Sequence, residues 1–105
     1  MKLRYTPAAI CDLEEVESYI RDVLMNPDAA ANIIGIIADS CAKLKEQPYM
    51  GGELRQKLNR EMDGRFLICQ RYIVIYEVDE AVSVLRVLDT RTDYAKVLIS
   101  ELSSK

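Results

Sequence analysis

Charged and hydroxyl side chains cluster near the carboxyl end of the 105-residue chain, in the stretch VLRVLDTRTDY at residues 84–94. The first half of this stretch is apolar except for Arg86, and the second half holds Asp89, Arg91, Asp93 and Tyr94. Such side chains could transfer a proton, hold a phosphate or pair with the charges of a partner. They could equally cap and charge the start of a helix.

The chemistry open to this cluster is limited by the residues that the chain lacks. There is no histidine, so any catalysis must use carboxylates, Lys, Arg or Tyr. The three cysteines, Cys11, Cys41 and Cys69, lie far apart in apolar patterns and form no C-x-x-C motif. We therefore expect buried, reduced thiols, no metal site and no cofactor.

Charge is distributed unevenly along the chain. The formal net charge of -3 argues against a general nucleic-acid binder. Residues 11–28 hold six acidic residues against Arg21 alone, a balance of -5, whereas residues 51–71 hold five basic and three acidic residues, a balance of +2. We interpret the acidic residues of the first predicted helix, Asp12 among them, as solvated surface.

Length and hydropathy restrict the class of protein. The 105 residues suit one domain spanning 1–105, which can bury a modest core. No apolar run reaches the roughly 18 residues of a membrane span, and no signal-peptide pattern follows Met1. We expect one folded domain in the cytoplasm, with no membrane association.

The first half of the chain predicts a strand followed by a helical hairpin. Residues 2–5 alternate polar and apolar side chains, as an exposed strand does. Thr6-Pro7 supplies an N-cap and a first-turn proline, which predicts a helix over 7–25. Asn26-Pro27 repeats the signal and predicts a second helix that ends near Gln47-Pro48.

The second half predicts an antiparallel meander. Apolar and β-branched runs at 66–69, 72–78 and 81–88 are joined by short polar connections at 70–71 and 79–80. A short helix from about Thr92 ends the chain, and the polar residues 53–63 could be helix, strand or coil. The predicted fold class is α+β.

Two-residue turns at both connections fix which side chains share a face of this sheet. One face is expected to receive the helical hairpin and carries Leu67, Cys69, Tyr72, Val74, Tyr76, Leu85 and Val87. The other carries Phe66, Ile68, Ile73, Ile75, Val82, Val84 and Arg86. Because this second face is too apolar to be left wet, we expect the last helix to cover part of it and a partner chain to cover more.

This order of elements resembles the RelE/ParE superfamily, the toxins of bacterial type II toxin-antitoxin modules, also known as plasmid stabilisation proteins. The resemblance covers nearly the whole chain and rests on the Thr6-Pro7 opening, LKEQP at 44–48, YIVIYEV at 72–78 and VLRVLDTRTDY at 84–94. It implies a strand, a helical hairpin, a β-meander and a short C-terminal helix. It also implies a growth-inhibiting toxin that a cognate antitoxin neutralises.

The resemblance leaves two targets open. One branch of the superfamily cuts messenger RNA on the ribosome without a metal, surrounding the phosphate with Lys, Arg and Tyr, which suits attack by a 2′-hydroxyl. The other branch poisons DNA gyrase and is not known to cut RNA. A third reading is a degenerate member that binds a partner through the same fold and is not toxic.

Comparison with the nuclease pattern gives a mixed result. The tentative catalytic residues are Arg91 and Tyr94, which match a basic residue and a tyrosine in the tail of several nucleases, and Lys57, Arg60 or Arg65 could stand for their upstream cations. However, Ile73 stands where the nucleases usually have an arginine, and Asp89 where many have a histidine. These departures favour gyrase or an unassigned target, with ribosome-dependent cleavage as the alternative.

Arg86 has two interpretations. It could anchor a target phosphate or an antitoxin carboxylate, or its stem could cover apolar surface while its head pairs with a carboxylate such as Glu77. Family antitoxins lay an extended segment and helices across the toxin, for which the apolar second face is physically suited. The resemblance therefore predicts an antitoxin-facing set of Phe66, Ile73, Ile75, Val84 and Arg86.

Overall fold

The computed structural model describes residues 1–102 and confirms the predicted α+β class. Its sheet lies between a helical hairpin on one face and two short helices on the other. In chain order the elements are β1 (Lys2–Tyr5), α1 (Pro7–Ser18), α2 (Pro27–Ala42), β2 (Gly52–Glu53), α3 (Leu54–Leu58), β3 (Arg65–Cys69), β4 (Tyr72–Val78), β5 (Ala81–Asp89) and α4 (Tyr94–Leu102). No helix within these residues is long and apolar enough to cross a membrane.

The helical hairpin begins where the sequence predicts. The Thr6 hydroxyl accepts a hydrogen bond from the Ala9 N–H at 3.1 Å, and the Asn26 side chain accepts one from the Ala29 N–H at 3.1 Å. The end of the first helix differs from the prediction, because α1 stops at Ser18 and Tyr19–Val23 forms a π-helical turn. Met25 then adopts a left-handed conformation (φ 55°) before α2 begins.

The sheet has five strands in the order β1-β5-β4-β3-β2. Strands β2 to β5 pair antiparallel, as the meander prediction requires. Strand β1 lies at the edge opposite β2 and pairs parallel with β5. The undecided residues 53–63 contribute the two-residue edge strand β2, the helix α3 and the buried Met62. The last helix begins at Tyr94, two residues later than predicted.

The predicted register between β4 and β5 is wrong by one residue. The predicted two-residue turn would place Val78 opposite Ala81, but Val78 lies opposite Val82. A β-bulge between Ile75 and Tyr76 on the β4 side then shifts the pairing again, so that Ile75 lies opposite Arg86. Each one-residue shift moves side chains to the other face of the sheet.

These shifts correct the predicted faces. Val82 and Val84 pack on the helical hairpin, together with the correctly predicted Val74 and Val87, whereas Leu85 turns to the opposite face. That opposite face is closed by the chain itself: a buried cluster joins α3, α4 and the strands and consists of Leu54, Met62, Ile73, Ile75 and Leu98. Most of the apolar face expected from the sequence is therefore covered by the chain itself, whereas Ile68 on the same face is 53 % exposed.

The cysteines are only partly as predicted. Cys41 and Cys69 are buried, and burial raises the pKa of the Cys41 thiol, which keeps it protonated. Cys11 is exposed, because it lies on the outward side of α1. The prediction of three buried thiols is therefore wrong at this position.

Candidate functional site

Arg86 joins three elements of the fold. Its Nε and Nη2 atoms donate to the two carboxylate oxygens of Asp12 on α1, at 2.8 and 3.0 Å, and its Nη1 atom donates to Glu101 on α4 at 2.6 Å. The hydrogen bond to Asp12 contributes most to raising the pKa of Arg86. The expected pairing with Glu77 is wrong, since the Arg86 head instead links the helical hairpin to the C-terminal helix.

Asp12 is buried, so the prediction that it belongs to the solvated surface of the first helix is wrong. Its side chain is only 8 % exposed, and beyond its two bonds to Arg86 it accepts the backbone N–H of Val87 at 2.9 Å. This N–H lies on β5 beyond the last residue paired with β1, where no strand is present to accept it. The signal for burial was helical spacing, because Asp12 falls between Ala9 and Val16 on the apolar side of α1.

The second half of the stretch VLRVLDTRTDY forms a turn followed by the cap of α4. The Asp89 carboxylate accepts bonds from the Arg91 backbone N–H and from the Arg91 guanidinium, both at 2.8 Å. The Arg91 bonds hold the pKa of Asp89 below its usual range. The Asp93 side chain accepts from the Lys96 N–H at 3.3 Å, which caps α4.

The two tentative catalytic residues differ in environment. Arg91 is exposed, and its guanidinium is held by Asp89. Tyr94 is half-buried and packs against the core cluster beneath α4. Near Arg91, Tyr72 is almost fully buried, and burial, followed by the charge of Asp89, raises the pKa of its hydroxyl.

The predicted upstream cations have separate surroundings. Lys57 on α3 places its ammonium 5.0 Å from the centre of the Phe66 ring, and Arg60 is exposed just after that helix. Arg65 donates to the carbonyls of Tyr49 and Gly51, so it fixes the loop before β2. Arg65 also lines a hollow of about 370 Å³, which Lys57 and Arg91 do not reach.

The predicted antitoxin-facing residues do not form one open surface. Ile73 and Ile75 are fully buried beneath α3 and α4, and Phe66 is half-buried beside Lys57. Val84 lies on the opposite face, beneath the helical hairpin, so its predicted placement is wrong. Arg86 is occupied by Asp12 and Glu101. An antitoxin contact at these positions stays a prediction, and for the buried residues it would require α3 or α4 to move.

Neither a metal site nor a nuclease-like constellation stands out in residues 1–102. No group of three or more His, Cys, Asp or Glu side chains within this range is arranged to hold a metal ion. Within the same range the candidate cations are distributed between α3 and the turn after it, the start of β3 and the turn after β5. What the geometry does provide is a layered scaffold in which the ion pairs of Arg86 join the layers.

Comparison with solved structures assigns this scaffold to a class. The chain matches a structure described as a chromosomal ParDE toxin-antitoxin system from P. aeruginosa, with a TM-score of 0.70 and 20% sequence identity over 85% of this chain and 95% of that one. At this identity the match shows the fold alone. The chain therefore shares the fold of that structure, as the order of elements predicts.

Sequence comparison identifies the family. Residues 3–94 match the family model described as the ParE toxin of the type II toxin-antitoxin system parDE. A Sinorhizobium fredii (strain NBRC 101917 / NGR234) protein named "Putative toxin Y4kP" is 31% identical over 97 residues, which are 92% of this chain and 96% of that protein. The chain belongs to the ParE toxin family of type II toxin-antitoxin systems, and membership implies an antitoxin partner.

Proposed function

We propose that this ParE-family chain inhibits bacterial growth by binding DNA gyrase in the cytoplasm and that a cognate antitoxin neutralises it. The observation that carries the choice of target is the position of Ile73. This residue stands where RNA-cutting relatives place an arginine, and it is fully buried beneath α4. An RNA phosphate would therefore find no cation at position 73 to bind it.

The remaining candidates for RNA cleavage support the same choice. Transphosphorylation needs a base for the 2′-hydroxyl proton and cations around one phosphate. Arg91 is engaged by Asp89, Tyr94 packs against the core, and Arg65 holds backbone carbonyls. Inhibition through binding does not need these side chains to converge, so it fits the geometry better than catalysis does.

Controlled expression with two readouts from the same cells tests this proposal. We expect growth arrest, loss of negative supercoiling in a reporter plasmid and no new transcript ends near ribosomal A sites. Purified protein should likewise block supercoiling by purified gyrase. Unchanged supercoiling together with ribosome-dependent transcript cuts would overturn the gyrase assignment.

Ribosome-dependent cleavage is the second candidate, because Arg91 and Tyr94 match nuclease positions and both lie in the turn and helix that follow β5. It predicts that Arg91→Ala removes toxicity. If the chain instead binds gyrase and does not cut RNA, neither the unmodified chain nor Arg91→Ala should produce transcript cuts. Arg55→Ala is the matched control, since Arg55 is an exposed arginine outside the tail and outside the predicted site residues. Harmless expression of a folded chain would instead favour a non-toxic binding module.

A further inference from the structure

A small hollow lies where α1, the start of β4 and the end of β5 meet, and we call it the Tyr72 hollow. Its volume is about 250 Å³. Asp12 and Glu15 on α1 and Tyr19 in the π-helical turn after it line one side, while Tyr72 and Val87 line the other. Drug-sized ligands occupy pockets of about 300–1,000 Å³, so this hollow suits a smaller molecule or a single side chain.

The Tyr72 side chain is buried, yet its hydroxyl is left without a hydrogen bond. Only 5 % of this residue is exposed, and the hydroxyl has no hydrogen-bond partner within residues 1–102. Burial raises the pKa of this hydroxyl most, and the charge of Asp89 raises it further, which places the hydroxyl near a carboxylate that lines the same hollow. Because a buried hydroxyl costs free energy until it finds a partner, this group marks the hollow as a site for a polar ligand.

The other polar groups around the Tyr72 hollow leave acceptors, not donors, for a ligand. Arg86 is the one cation in its lining among the described residues, and its three nitrogens already donate to Asp12 and Glu101. The Val87 N–H is likewise accepted by Asp12. Since the N–H and C=O of one strand residue point to the same side, the Val87 carbonyl faces the same open edge of β5. A ligand must therefore bring the donors.

The charge of the lining favours a cation. Asp12, Glu15 and Asp89 carry three negative charges against the one positive charge of Arg86, a balance of -2. Asp12 is paired with Arg86, and Asp89 holds Arg91, which does not line the hollow. Glu15 is exposed and has no ion pair within residues 1–102, so it is the carboxylate available to a ligand.

The two tyrosines favour a flat cation. Tyr19 is 50 % exposed beside the hollow and belongs to the π-helical turn Tyr19–Val23, and such turns occur frequently at functional sites. Cations are attracted to the face of an aromatic ring, and a guanidinium, which is planar and weakly hydrated, stacks there more readily than an ammonium. Its fork of N–H groups also suits several acceptors at once.

We propose that the Tyr72 hollow binds a guanidinium carried on a short alkyl chain. The Tyr72 hydroxyl and the Val87 carbonyl accept its N–H groups, Glu15 supplies the countercharge, and the Tyr19 ring covers the plane of the guanidinium. This inference goes beyond the proposed function and does not rest on it. The same group is carried by a free alkylguanidine and by an arginine side chain on the surface of another protein.

Two substitutions test the hollow. Tyr72→Phe removes the hydroxyl and keeps the ring in the core, and Glu15→Gln removes the available charge. The matched controls are Tyr49→Phe, at an exposed tyrosine, and Glu14→Gln, at an exposed glutamate on α1, because neither residue lines the hollow. Thermal unfolding of each variant verifies that it folds.

The first probes are N-acetyl-arginine amide and N-acetyl-citrulline amide, which have nearly the same shape although only the first is charged. By NMR titration we expect the arginine probe to bind with a Kd of about 1 mM or below, shifting the amides of Val87 and Thr92, and the citrulline probe not to bind. Tyr72→Phe and Glu15→Gln should each weaken binding about fivefold, with the controls within about twofold of the unmodified protein. Equal binding of both probes, or unchanged affinity in Tyr72→Phe and Glu15→Gln, would overturn the proposal.

Agmatine and butylamine separate the sources of the ligand and the type of cation. Agmatine carries the guanidinium on a free alkyl chain, so binding at least about tenfold tighter than the capped arginine would support a small-molecule ligand. Binding no tighter than that of the capped arginine would support an arginine side chain of a protein. Butylamine that binds as tightly as agmatine would refute the choice of a guanidinium. These titrations decide the hollow independently of the growth and supercoiling assays, which decide the proposed function.

Discussion

Arg86 and Asp12 show what a charged pair does at a break in a sheet edge. The parallel strand β1 ends opposite Val84, and from there β5 has no strand partner on that side. Two side chains replace the missing strand: the Thr6 hydroxyl donates to the Leu85 carbonyl, and the Asp12 carboxylate accepts the Val87 N–H. Arg86 then neutralises the buried carboxylate and reaches α4 through Glu101. An arginine in an apolar strand is here a structural link between layers.

Removing Arg86 should strongly destabilise the fold. Arg86→Ala leaves the Asp12 carboxylate buried with no countercharge, so we expect the free energy of unfolding to fall by about 2–4 kcal/mol, measured by urea denaturation. Asp12→Asn is the informative companion, since its amide oxygen can still accept the Val87 N–H and the Arg86 guanidinium keeps Glu101 as its countercharge. A loss below about 1 kcal/mol for Arg86→Ala would contradict the linking role.

Asp89 should give the turn before α4 a dependence on pH. Its pKa is lowered in the folded chain relative to about 3.9 in the unfolded chain, so it stabilises the fold fully above that value. This contribution should be lost as the pH falls through the folded-state pKa. Urea midpoints of the unmodified chain and of Asp89→Asn should therefore differ at neutral pH and converge in acid. A constant difference throughout would show that the Arg91 bonds do not act through the charge of Asp89.

At the scale of elements, Thr6 in the connection between β1 and α1 both caps the helix and bonds to the edge of β5. Thr6 caps α1 through Ala9, and its hydroxyl and N–H donate to the carbonyls of Leu85 and Val84 at 2.9 and 3.0 Å. The same residue thus starts the helix and extends the edge of β5. The bulge in the β4-β5 pair places Leu85 on the α4 face, next to this connection.

Thr6→Ala should separate these contributions from the rest of the fold. Loss of a threonine cap and of one further hydrogen bond should lower the free energy of unfolding by about 1–2 kcal/mol. Thr6→Ser keeps the hydroxyl and should restore most of that stability. Chemical denaturation of the three proteins measures both effects, and equal losses for Ala and Ser would show that the methyl group, not the hydroxyl, matters.

At the scale of the molecule, the sheet has a core on each face. Ala9, Ile37 and Cys41 close the hairpin side, whereas Leu54 and Leu98 close the other side. Both cores share strands β4 and β5, and Arg86 ties the two outer layers together. We propose that the chain unfolds as one cooperative unit, as expected of the single domain predicted over 1–105, of which residues 103–105 lie outside the described residues.

Cavities on opposite faces should therefore affect the same transition. Leu98→Ala and Ile37→Ala each remove a fully buried side chain, so each should cost about 2–5 kcal/mol and preserve one urea transition. Val97→Ala is the matched control on α4, because Val97 is 36 % exposed and should cost well under about 1.5 kcal/mol. Two separate transitions in either core variant would show that the layers unfold independently.

Local signals in the sequence determined the starts of the two hairpin helices, the antiparallel meander and the family. Thr6-Pro7 and Asn26-Pro27 act within one helical turn, and the apolar runs of β3 to β5 differ from their polar connections, so a single sequence is enough to place them. Thr92 was placed near the last helix for the same reason, although the cap is Asp93. The four stretches that carry the resemblance identified a toxin scaffold because they occur in the same order as in the RelE/ParE superfamily.

Tertiary structure alone decided the faces and the pairings. One extra residue in the β4-β5 connection and one bulge reversed the expected sides of Val84 and Leu85, because side chains in a strand alternate and a shift of one residue inverts them. Asp12 and Arg86 are 74 residues apart, so no local pattern could pair them. Likewise, only packing could show that α3 and α4 cover most of the second face of the sheet.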